Sequence, residues 1–506
     1  MFLKTKTFFK SHPVLYYLLL SFVAAILINL LFSLSISPLY PHYSYDAVDI
    51  DSAFFQYTGK LILEGKIPYR DFFDHKGPLV FYYNALGALM GERFGIAFLT
   101  FLSHFLTCFF LLLGIAEISS SLKEVTLAAS LFLLFYSISE GGNQVGEIVA
   151  PLVSLSLYFF LRYQKRNTLS AEILSAFFGG VEIGATLFTR PSDALAGGSL
   201  CVGLFILWCF HIKERKLSLL YDVLAALVGV GINLAIWLPV LHVQGTFSLF
   251  FDALYRDSKS YIENKTVTLV AIARAIVLLY FLMVLLGYLR IWKKHKEKKD
   301  IATAYLVMAA LFAVPNFVYA KYPQYWIVFF PLFIAEILFC FVFFPLPQKK
   351  KDPKTIASLI SFFLSLMVGC GFLIDYYTSS DPDFSYRGSK EVYAEIEENV
   401  PSEIQKGTDT IFYLDCNAAV LLKEDNRSSC PYQTYQSWQA SFLPSIDKEV
   451  TSYLQNKKPL YIVKGDNGHV EKKFTYDTWI EQNYEKVEPR GTDSPIIEIY
   501  RLKENA

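Results

Sequence analysis

The stretch VLYYLLLSFVAAILINLLFSLSI, from Val14 to Ile36, decides the class of fold. It carries no charged residue, and about 20 apolar residues are enough for one helix to cross the hydrocarbon core of a bilayer. It follows Lys4, Lys6 and Lys10. A secretory signal peptide has a shorter apolar core and a cleavage site of small residues. The run is therefore predicted to be a retained first membrane helix.

Composition extends this prediction to the whole chain. Of 506 residues, 54% are hydrophobic and 17% are aromatic, and the mean hydropathy is +0.36, unlike an ordinary soluble protein. Further apolar runs lie at 94–118, 122–138, 145–163, 171–189, 192–212, 219–242, 267–292, 301–320, 325–345 and 354–376. Together they predict a polytopic α-helical membrane protein with about 11 transmembrane helices. The formal net charge is zero, so no nucleic-acid partner is expected.

The loops between the runs indicate the orientation of the chain. Lys and Arg crowd the cytoplasmic side of membrane proteins. If the N-terminus is cytoplasmic, the basic residues that fall inside are Lys123, Arg162, Lys165, Arg166, Lys213, Arg215, Lys216, Arg290, Lys293, Lys294, Lys296, Lys298, Lys299, Lys349, Lys350, Lys351 and Lys354. An odd number of helices then puts the C-terminal part outside the cell. We predict a multi-pass plasma-membrane protein, and the Lys-rich inner loops are compatible with a bacterial one.

Two domains are predicted. Residues 1–378 form the transmembrane domain, with a first outer loop at 37–93, and residues 379–506 form an extracytoplasmic domain. In the latter, DTIFYLD, PLYIVK and IIEIYRL are typical of strands, and the patterns at 446–454 and 476–483 are helical, which predicts a small α/β domain. Its two cysteines, Cys416 and Cys430, would be able to form a disulfide if this domain faces an oxidising space.

The first outer loop carries an unusual concentration of charge. Its sequence from residue 49 is DIDSAFFQYTGKLILEGKIPYRDFFDHKGPLVFYYNALG. Phe54, Tyr57 and Leu61 have helical spacing, and Leu79 to Met90 is an apolar stretch too short to span, which predicts an interfacial helix. A charge at bilayer depth costs about 2.5–3.5 kcal/mol, so charges collect at interfaces and aqueous cavities. The loop is therefore interpreted as a charged platform at the outer face.

This loop and three shorter motifs resemble those of a known family. A first helix, this outer loop and about a dozen helices resemble the GT-C membrane glycosyltransferases. The chain looks most like the branch that includes protein O-mannosyltransferases and the aminoarabinose transferase of lipid A. The similarity is strong over 49–90 and weaker in GGNQVGE (141–147), TRPSD (189–193) and KYPQYW (321–326), and it does not extend to the C-terminal domain. The resemblance implies a GT-C-like fold and sugar transfer from a polyprenyl-phosphate donor.

The resemblance also suggests which residue is the catalytic base. In that family, the proposed base is an acidic residue early in the first outer loop. The family commonly has an Asp-Glu pair there, whereas this chain has Asp51 followed by Ser52, with Asp49 upstream. The choice between Asp49 and Asp51 therefore stays open.

The implied chemistry needs few further groups. A sugar on a polyprenyl phosphate already carries its leaving group, so the enzyme has to deprotonate an acceptor hydroxyl and balance charge on the departing phosphate. Lys76, Arg190 and Lys321 are candidates to hold the phosphate. A single displacement inverts the anomeric carbon, because no second carboxylate acts as a nucleophile. The remaining substrate-binding candidates are Asp74, His75, Asn143, Glu147 and Tyr325.

Several of these candidates have a structural alternative. Asp51 would serve as a helix N-cap, and Glu147 would compensate a helix dipole. Arg190 would anchor a helix end at the interface. Lys321 and Tyr325 would belong to an aromatic belt.

Other functions are compatible with parts of the pattern. The expected acceptor is a cell-envelope glycan, lipid or protein, as in cell-wall or polysaccharide biosynthesis. A lipid-linked-sugar flippase or other transporter is an alternative, although such proteins tend to show paired repeats and charges near the midplane. A polysaccharide polymerase or ligase shares the donor type.

No cofactor is assigned, and a divalent metal at His75 is an alternative that rests on a single His with scattered carboxylates.

Overall fold

The computed structural model describes most of the chain in two compact units. The described residues are 11–33, 36–40, 50–119, 121–139, 142–254, 270–319, 323–343, 353–378, 394–400, 409–416, 418–424, 427–433, 437–465, 472–487 and 497–504. The first unit holds Met1–Ser33, Ala97–Pro239 and Thr266–Cys370, and the second holds Leu34–Ile96, Val240–Lys265 and Gly371–Ala506. The first outer loop and the C-terminal part thus belong to one unit. The boundary at residue 378 stays a prediction.

Long apolar helices make up most of the described chain, and one coincides with each predicted run. They are Pro13–Leu31, Glu92–Ile118, Leu122–Ser137, Val145–Arg166, Leu169–Leu187, Leu195–His211, Ser218–Val243, Val270–Lys294, Lys299–Tyr319, Phe330–Phe343 and Pro353–Thr378. Among the described residues, eight helices are long and apolar enough to cross a membrane. The prediction of a polytopic helical membrane protein is confirmed, and the count of eleven spans stays a prediction.

Small residues allow close helix packing in the first unit. A Cβ atom at Gly180 would overlap the carbonyl oxygen of Ala226, and one at Gly184 would lie 2.9 Å from the Cα of Val230. These contacts join helix Leu169–Leu187 to helix Ser218–Val243. In lipid, helices associate through van der Waals packing, for which small residues let two backbones approach. Any side chain at either glycine would push the helices apart.

The first outer loop folds into two packed helices joined by a turn. Helix Ile50–Leu63 confirms the helical spacing seen in the sequence, and helix Pro78–Leu89 follows the charged segment. A Cβ atom at Gly59 would lie 2.6 Å from the backbone carbonyl carbon of Asn84, so the two backbones are in direct contact. This packing fixes the ends of the charged segment that lies between the helices.

The C-terminal part contains a four-stranded sheet. Its strands are β1 (Ile411–Leu414), β2 (Tyr461–Gly465), β3 (Tyr484–Lys486) and β4 (Ile497–Leu502), in the order β1-β2-β4-β3. The first two strands are parallel, and β4 is antiparallel to both of its neighbours. The described helices are Ala418–Glu424, Ser437–Phe442, Pro444–Lys457 and Thr475–Asn483. The predicted mixture of strands and helices in the C-terminal part is thereby confirmed, whereas its separation as a domain stays a prediction. Strand β3 was not revealed by the sequence.

A hydrophobic core lies beneath this sheet. It includes Phe412, Ile462 and Leu454, and Phe73 of the first outer loop packs against it. Cys416 and Cys430 are buried, and each is a thiol rather than half of a disulfide. The structure therefore has no disulfide between them, and the core is held by apolar contact.

Candidate active site

The charged segment of the first outer loop brings three predicted site residues together. The Nζ atom of Lys76 lies 3.5 Å from Oδ1 of Asp51 and 3.7 Å from Oδ2 of Asp74. It also lies 5.2 Å from the ring centroid of Phe55. The side chain of Lys76 is 11% exposed, whereas that of Asp51 is 38% exposed. The ammonium group is therefore held between two carboxylates, of which Asp51 is the more accessible.

Asp74 is the buried member of this group. Its Oδ1 atom accepts the backbone N–H groups of His75 at 2.5 Å and Lys76 at 3.2 Å, and it lies 3.0 Å from Nδ1 of His75. Burial alone would raise the pKa of the Asp74 carboxyl, but the charges of Lys76 and His75 and the His75 hydrogen bonds outweigh it, so the pKa lies well below its usual value. Asp74 is therefore a fixed anion that holds Lys76 in place.

The backbone around these residues forms a fixed turn. Tyr69 has φ of +67°, which is uncommon for a bulky residue. Its N–H group donates to the carbonyl of Phe72 at 2.8 Å, and its hydroxyl donates to the carbonyl of Lys76 at 2.7 Å. The Ile67 N–H group donates to Oδ2 of Asp71 at 2.8 Å. The side chain of Tyr69 thus ties the start of the turn to the residue that carries the ammonium group.

In the first unit, Glu147 organises the loop that precedes its helix. Its carboxylate is 2% exposed and accepts the N–H groups of Gly142 and Gln144, each at 2.9 Å. Asn143, in the same loop, is buried and has φ of +63°. A Cβ atom at Gly142 would lie 2.8 Å from Ser33, and its φ of +123° also favours glycine. The structure thus places Asn143 and Glu147 in one tightly constrained loop.

Two residues that sequence reasoning missed support Glu147. Nε2 of His104 lies 2.9 Å from Oε1 of Glu147, and the Asn29 side-chain amide donates to Nδ1 of His104 at 3.0 Å. Because Nδ1 accepts, the ring proton is on Nε2 and points at the carboxylate. The Tyr136 ring packs edge-on against the imidazole at 4.7 Å. A histidine inside an apolar run was the available signal, since ionisable residues in spanning segments are rare and often functional.

Arg190 and Tyr325 come together next to this loop. The guanidinium of Arg190 lies 4.3 Å from the ring centroid of Tyr325, and it donates to both carboxylate oxygens of Asp193 at 2.9 and 3.0 Å. A Cβ atom at Gly146 would lie 3.5 Å from Nη2 of Arg190. The three weaker motifs of the sequence therefore contribute residues to one cluster of the first unit.

Asp49 and Lys321 lie outside the described residues. Within the described ranges, no group of three or more His, Cys, Asp or Glu side chains is arranged to hold a metal ion. In the first loop, the Lys76 ammonium lies between the two carboxylates that a cation would need. A divalent ion at His75 stays an untested alternative.

Comparison with solved structures identifies the architecture. The chain matches the crystal structure of ArnT from Cupriavidus metallidurans bound to undecaprenyl phosphate, with a TM-score of 0.57 and 14% identity over 95% of this chain and 97% of the other. The apo state of the same protein matches with the same TM-score and identity, over 95% and 96%. The fold is GT-C-like. An oligosaccharyltransferase from Archaeoglobus fulgidus matches with a TM-score of 0.44 and 12% identity over 96% and 73%.

The GT-C-like fold was predicted from the sequence and is confirmed. A scan against protein-family models found no match, and a search of curated proteins found none either. At 14% identity, the similarity to ArnT establishes a shared fold. The roles of individual residues therefore rest on the geometry described above.

Proposed function

We propose that the protein is an inverting glycosyltransferase that moves a monosaccharide from a polyprenyl-phosphate donor to a cell-envelope acceptor on the outer face of the membrane. The observation that carries the proposal is the contact between Asp51 and Lys76 in the first outer loop of a GT-C-like fold. The match to an ArnT structure bound to undecaprenyl phosphate supports a lipid-phosphate ligand. Such a transfer requires a carboxylate to act as general base and a cation to stabilise the charge on the departing phosphate.

In the proposed reaction, Asp51 is the general base. It accepts the proton of the acceptor hydroxyl while that oxygen forms a bond to the anomeric carbon of the sugar. The bond between this carbon and the phosphate oxygen breaks, and its electron pair leaves with the polyprenyl phosphate. The Lys76 ammonium stabilises that charge as a compact point cation. Asp51 then releases its proton to water, for which its partial exposure is suited.

The other predicted site residues have supporting roles in this proposal. Asp74 holds Lys76 in place, and His75 in turn contacts Asp74. Arg190, which lies in the first unit against Tyr325 and Asp193, stays a candidate phosphate ligand. Glu147 fixes the loop that presents Asn143. Asp49 stays the alternative base, and Lys321 a further phosphate ligand. Substituting a residue that contacts substrate and substituting a residue that only positions another side chain should change kcat and KM differently.

The proposal includes an orientation of the chain. The N-terminus and the Lys-rich loops lie in the cytoplasm, and the first outer loop and residues 379–506 lie outside. Ion pairs in the predicted inner loops support this grouping, such as the bidentate contact between Arg166 and Glu117 at 3.0 Å. Cysteines introduced at positions 60 and 448 are expected to react with a membrane-impermeant maleimide added to whole cells, whereas one at position 165 is not.

The decisive experiment is sugar transfer by the purified protein in proteoliposomes. Radiolabelled sugars on a panel of polyprenyl phosphates are offered with envelope material, and covalent label on the acceptor is counted. We expect one donor to be used, and Lys76→Gln to reduce transfer about a hundredfold by weakening phosphate binding. Lys60→Gln removes a cation from the same loop and should keep wild-type transfer. Movement of labelled lipid across the bilayer without covalent transfer would establish a flippase and reject the transferase.

A further inference from the structure

One segment of the C-terminal part, residues 427–433, contacts both halves of the first outer loop; we name it the clamp segment. Its Arg427 donates from Nε and Nη2 to the Glu64 carboxylate at 2.7 to 2.9 Å. Glu64 directly follows helix Ile50–Leu63. The same guanidinium lies 5.5 Å from the ring centroid of Tyr57 on that helix. Bidentate pairing and ring contact together fix the direction of the Arg427 side chain.

A buried hydrogen bond adds a second contact to the same helix. The Tyr57 hydroxyl donates to Oε1 of Gln433 at 2.9 Å, and both side chains are buried. The backbone N–H of Ser428 donates to the same oxygen at 3.2 Å. Helix Ala418–Glu424 also packs on helix Ile50–Leu63. The clamp segment therefore holds the helix that carries Asp51 in its first turn.

The clamp segment also holds the turn that carries Lys76. The backbone N–H of Phe73 donates to the carbonyl of Pro431 at 3.0 Å. The rings of Phe73 and Tyr432 lie 5.0 Å apart. Both pack against the hydrophobic core beneath the four-stranded sheet; the sheet, its core and its helices are called the sheet domain below. Phe73 directly precedes Asp74, the anion that holds Lys76. A displacement of Pro431 would therefore move the backbone next to the ammonium group.

The other side of the clamp segment is anchored inside the sheet domain. Oδ1 of Asp409 accepts the Ser429 N–H at 2.8 Å and the Tyr453 hydroxyl at 2.9 Å, and Oδ2 accepts the Ser429 hydroxyl at 3.0 Å. The Nζ atom of Lys457 lies 3.2 Å from Oδ2. Asp409 precedes strand β1, and Tyr453 lies on helix Pro444–Lys457. The segment is thus rigidly joined to the sheet domain.

We propose that the clamp segment positions the catalytic pair, so that Arg427, Gln433 and Pro431 set the separation of Asp51 and Lys76. This inference rests on the proposed function of that pair. Tyr57 lies six positions after Asp51, about 9 Å along the helix, so a shift at Tyr57 is transmitted to the carboxylate. A misplacement of about 1 Å can reduce catalysis by about 10²-fold. The C-terminal domain thereby acts as a positioning element of the reaction centre.

The test is a charge exchange across the Arg427–Glu64 pair. We expect Arg427→Glu to reduce kcat about ten- to hundredfold with the apparent KM for donor within about twofold. The double variant Arg427→Glu with Glu64→Arg should recover at least half of the loss in the logarithm of kcat. Arg501→Glu is the matched control, because Arg501 pairs with Glu485 inside the sheet domain at 2.5 to 3.0 Å. It should keep wild-type kcat.

Hydrogen exchange separates this inference from the proposed function. In Arg427→Glu, amides of helix Ile50–Leu63 should lose protection about tenfold, and the double variant should restore it. If the wild type transfers no sugar but these exchange effects appear, the proposed function fails and the docking contact stands. The positioning role is rejected if sugar transfer is normal in Arg427→Glu. It is also rejected if the loss of transfer in the double variant equals the combined losses of the two single variants. Loss of folded protein is checked by Tyr57→Phe, which removes only the hydroxyl that donates to Gln433. This variant is expected to unfold near the wild-type temperature with reduced kcat, and wild-type kcat in it also rejects the role.

Discussion

Replacing Asp51 by Asn is the most informative single change in the proposed reaction centre. The variant removes the carboxylate that is expected to accept the proton, and it keeps nearly the same shape. General-base catalysis contributes about 10²- to 10⁴-fold, which corresponds to about 2.7 to 5.5 kcal/mol of barrier. The stability effect should be much smaller. Asp51 is 38% exposed and lies 3.5 Å from the Lys76 ammonium, and such partly solvated pairs contribute about 0.2–1 kcal/mol.

The expected signature is therefore a large kinetic loss with little loss of stability. Transfer should fall at least about a hundredfold, while the melting temperature in detergent and the affinity for undecaprenyl phosphate stay close to the wild type. Asp71→Asn is the matched control, because Asp71 lies in the same loop and pairs with the exposed Arg70 at 3.0 Å. Equal activity of the two variants would refute the assignment of Asp51. A hundredfold loss in Asp49→Asn alone would move the base to Asp49.

Three further changes test the surroundings of the site. Asp74→Asn should reduce the melting temperature at neutral pH, and the difference in melting temperature from the wild type should shrink below about pH 4. The folded pKa of Asp74 is lowered, so the stability that its carboxylate contributes is present above the unfolded pKa of about 4 and is lost on acidification. A difference that grows on acidification would contradict this. His104→Leu removes one hydrogen-bond donor to the buried Glu147 carboxylate and should lower the free energy of unfolding by about 1–3 kcal/mol. His104→Gln restores a donor and should recover part of that loss. Equal stability of the two variants would contradict this prediction. Gly59→Ala should cost about 1–3 kcal/mol by overpacking against Asn84, measured by thermal unfolding, and a more stable variant would show that the two helices can separate.

The membrane fold could be predicted from the sequence because its main determinant is local. A run of about 20 apolar residues has few alternatives to a spanning helix, so helices were found at the predicted runs. Strand β3 was missed because it has three residues, of which Glu485 and Lys486 are exposed. A short edge strand carries no hydrophobic alternation for a sequence pattern to detect.

The site was predictable only where its residues are neighbours in the chain. Asp74, His75 and Lys76 are consecutive, so their contacts follow from one turn. By contrast, Arg427 and Glu64 are separated by 363 positions, and a single Arg in a polar segment has no distinguishing pattern. His104 was missed for a related reason, since periodicity does not say which helix an apolar face meets. The pairing of polar side chains that are distant in the chain therefore could not be predicted from the sequence.

The environments of the two carboxylates explain why only one of them should act as the base. Asp74 is buried, accepts two backbone N–H groups and has a lowered pKa, so it binds a proton poorly and stays anionic throughout a turnover. Asp51 is 38% exposed, so its carboxylate is accessible to an acceptor hydroxyl, and it lies 3.5 Å from the Lys76 ammonium. Distinct roles for paired carboxylates arise when their surroundings separate their proton affinities. If this is correct, Asp74→Asn should change donor KM through Lys76, whereas Asp51→Asn should change kcat, and the two effects should not be interchangeable.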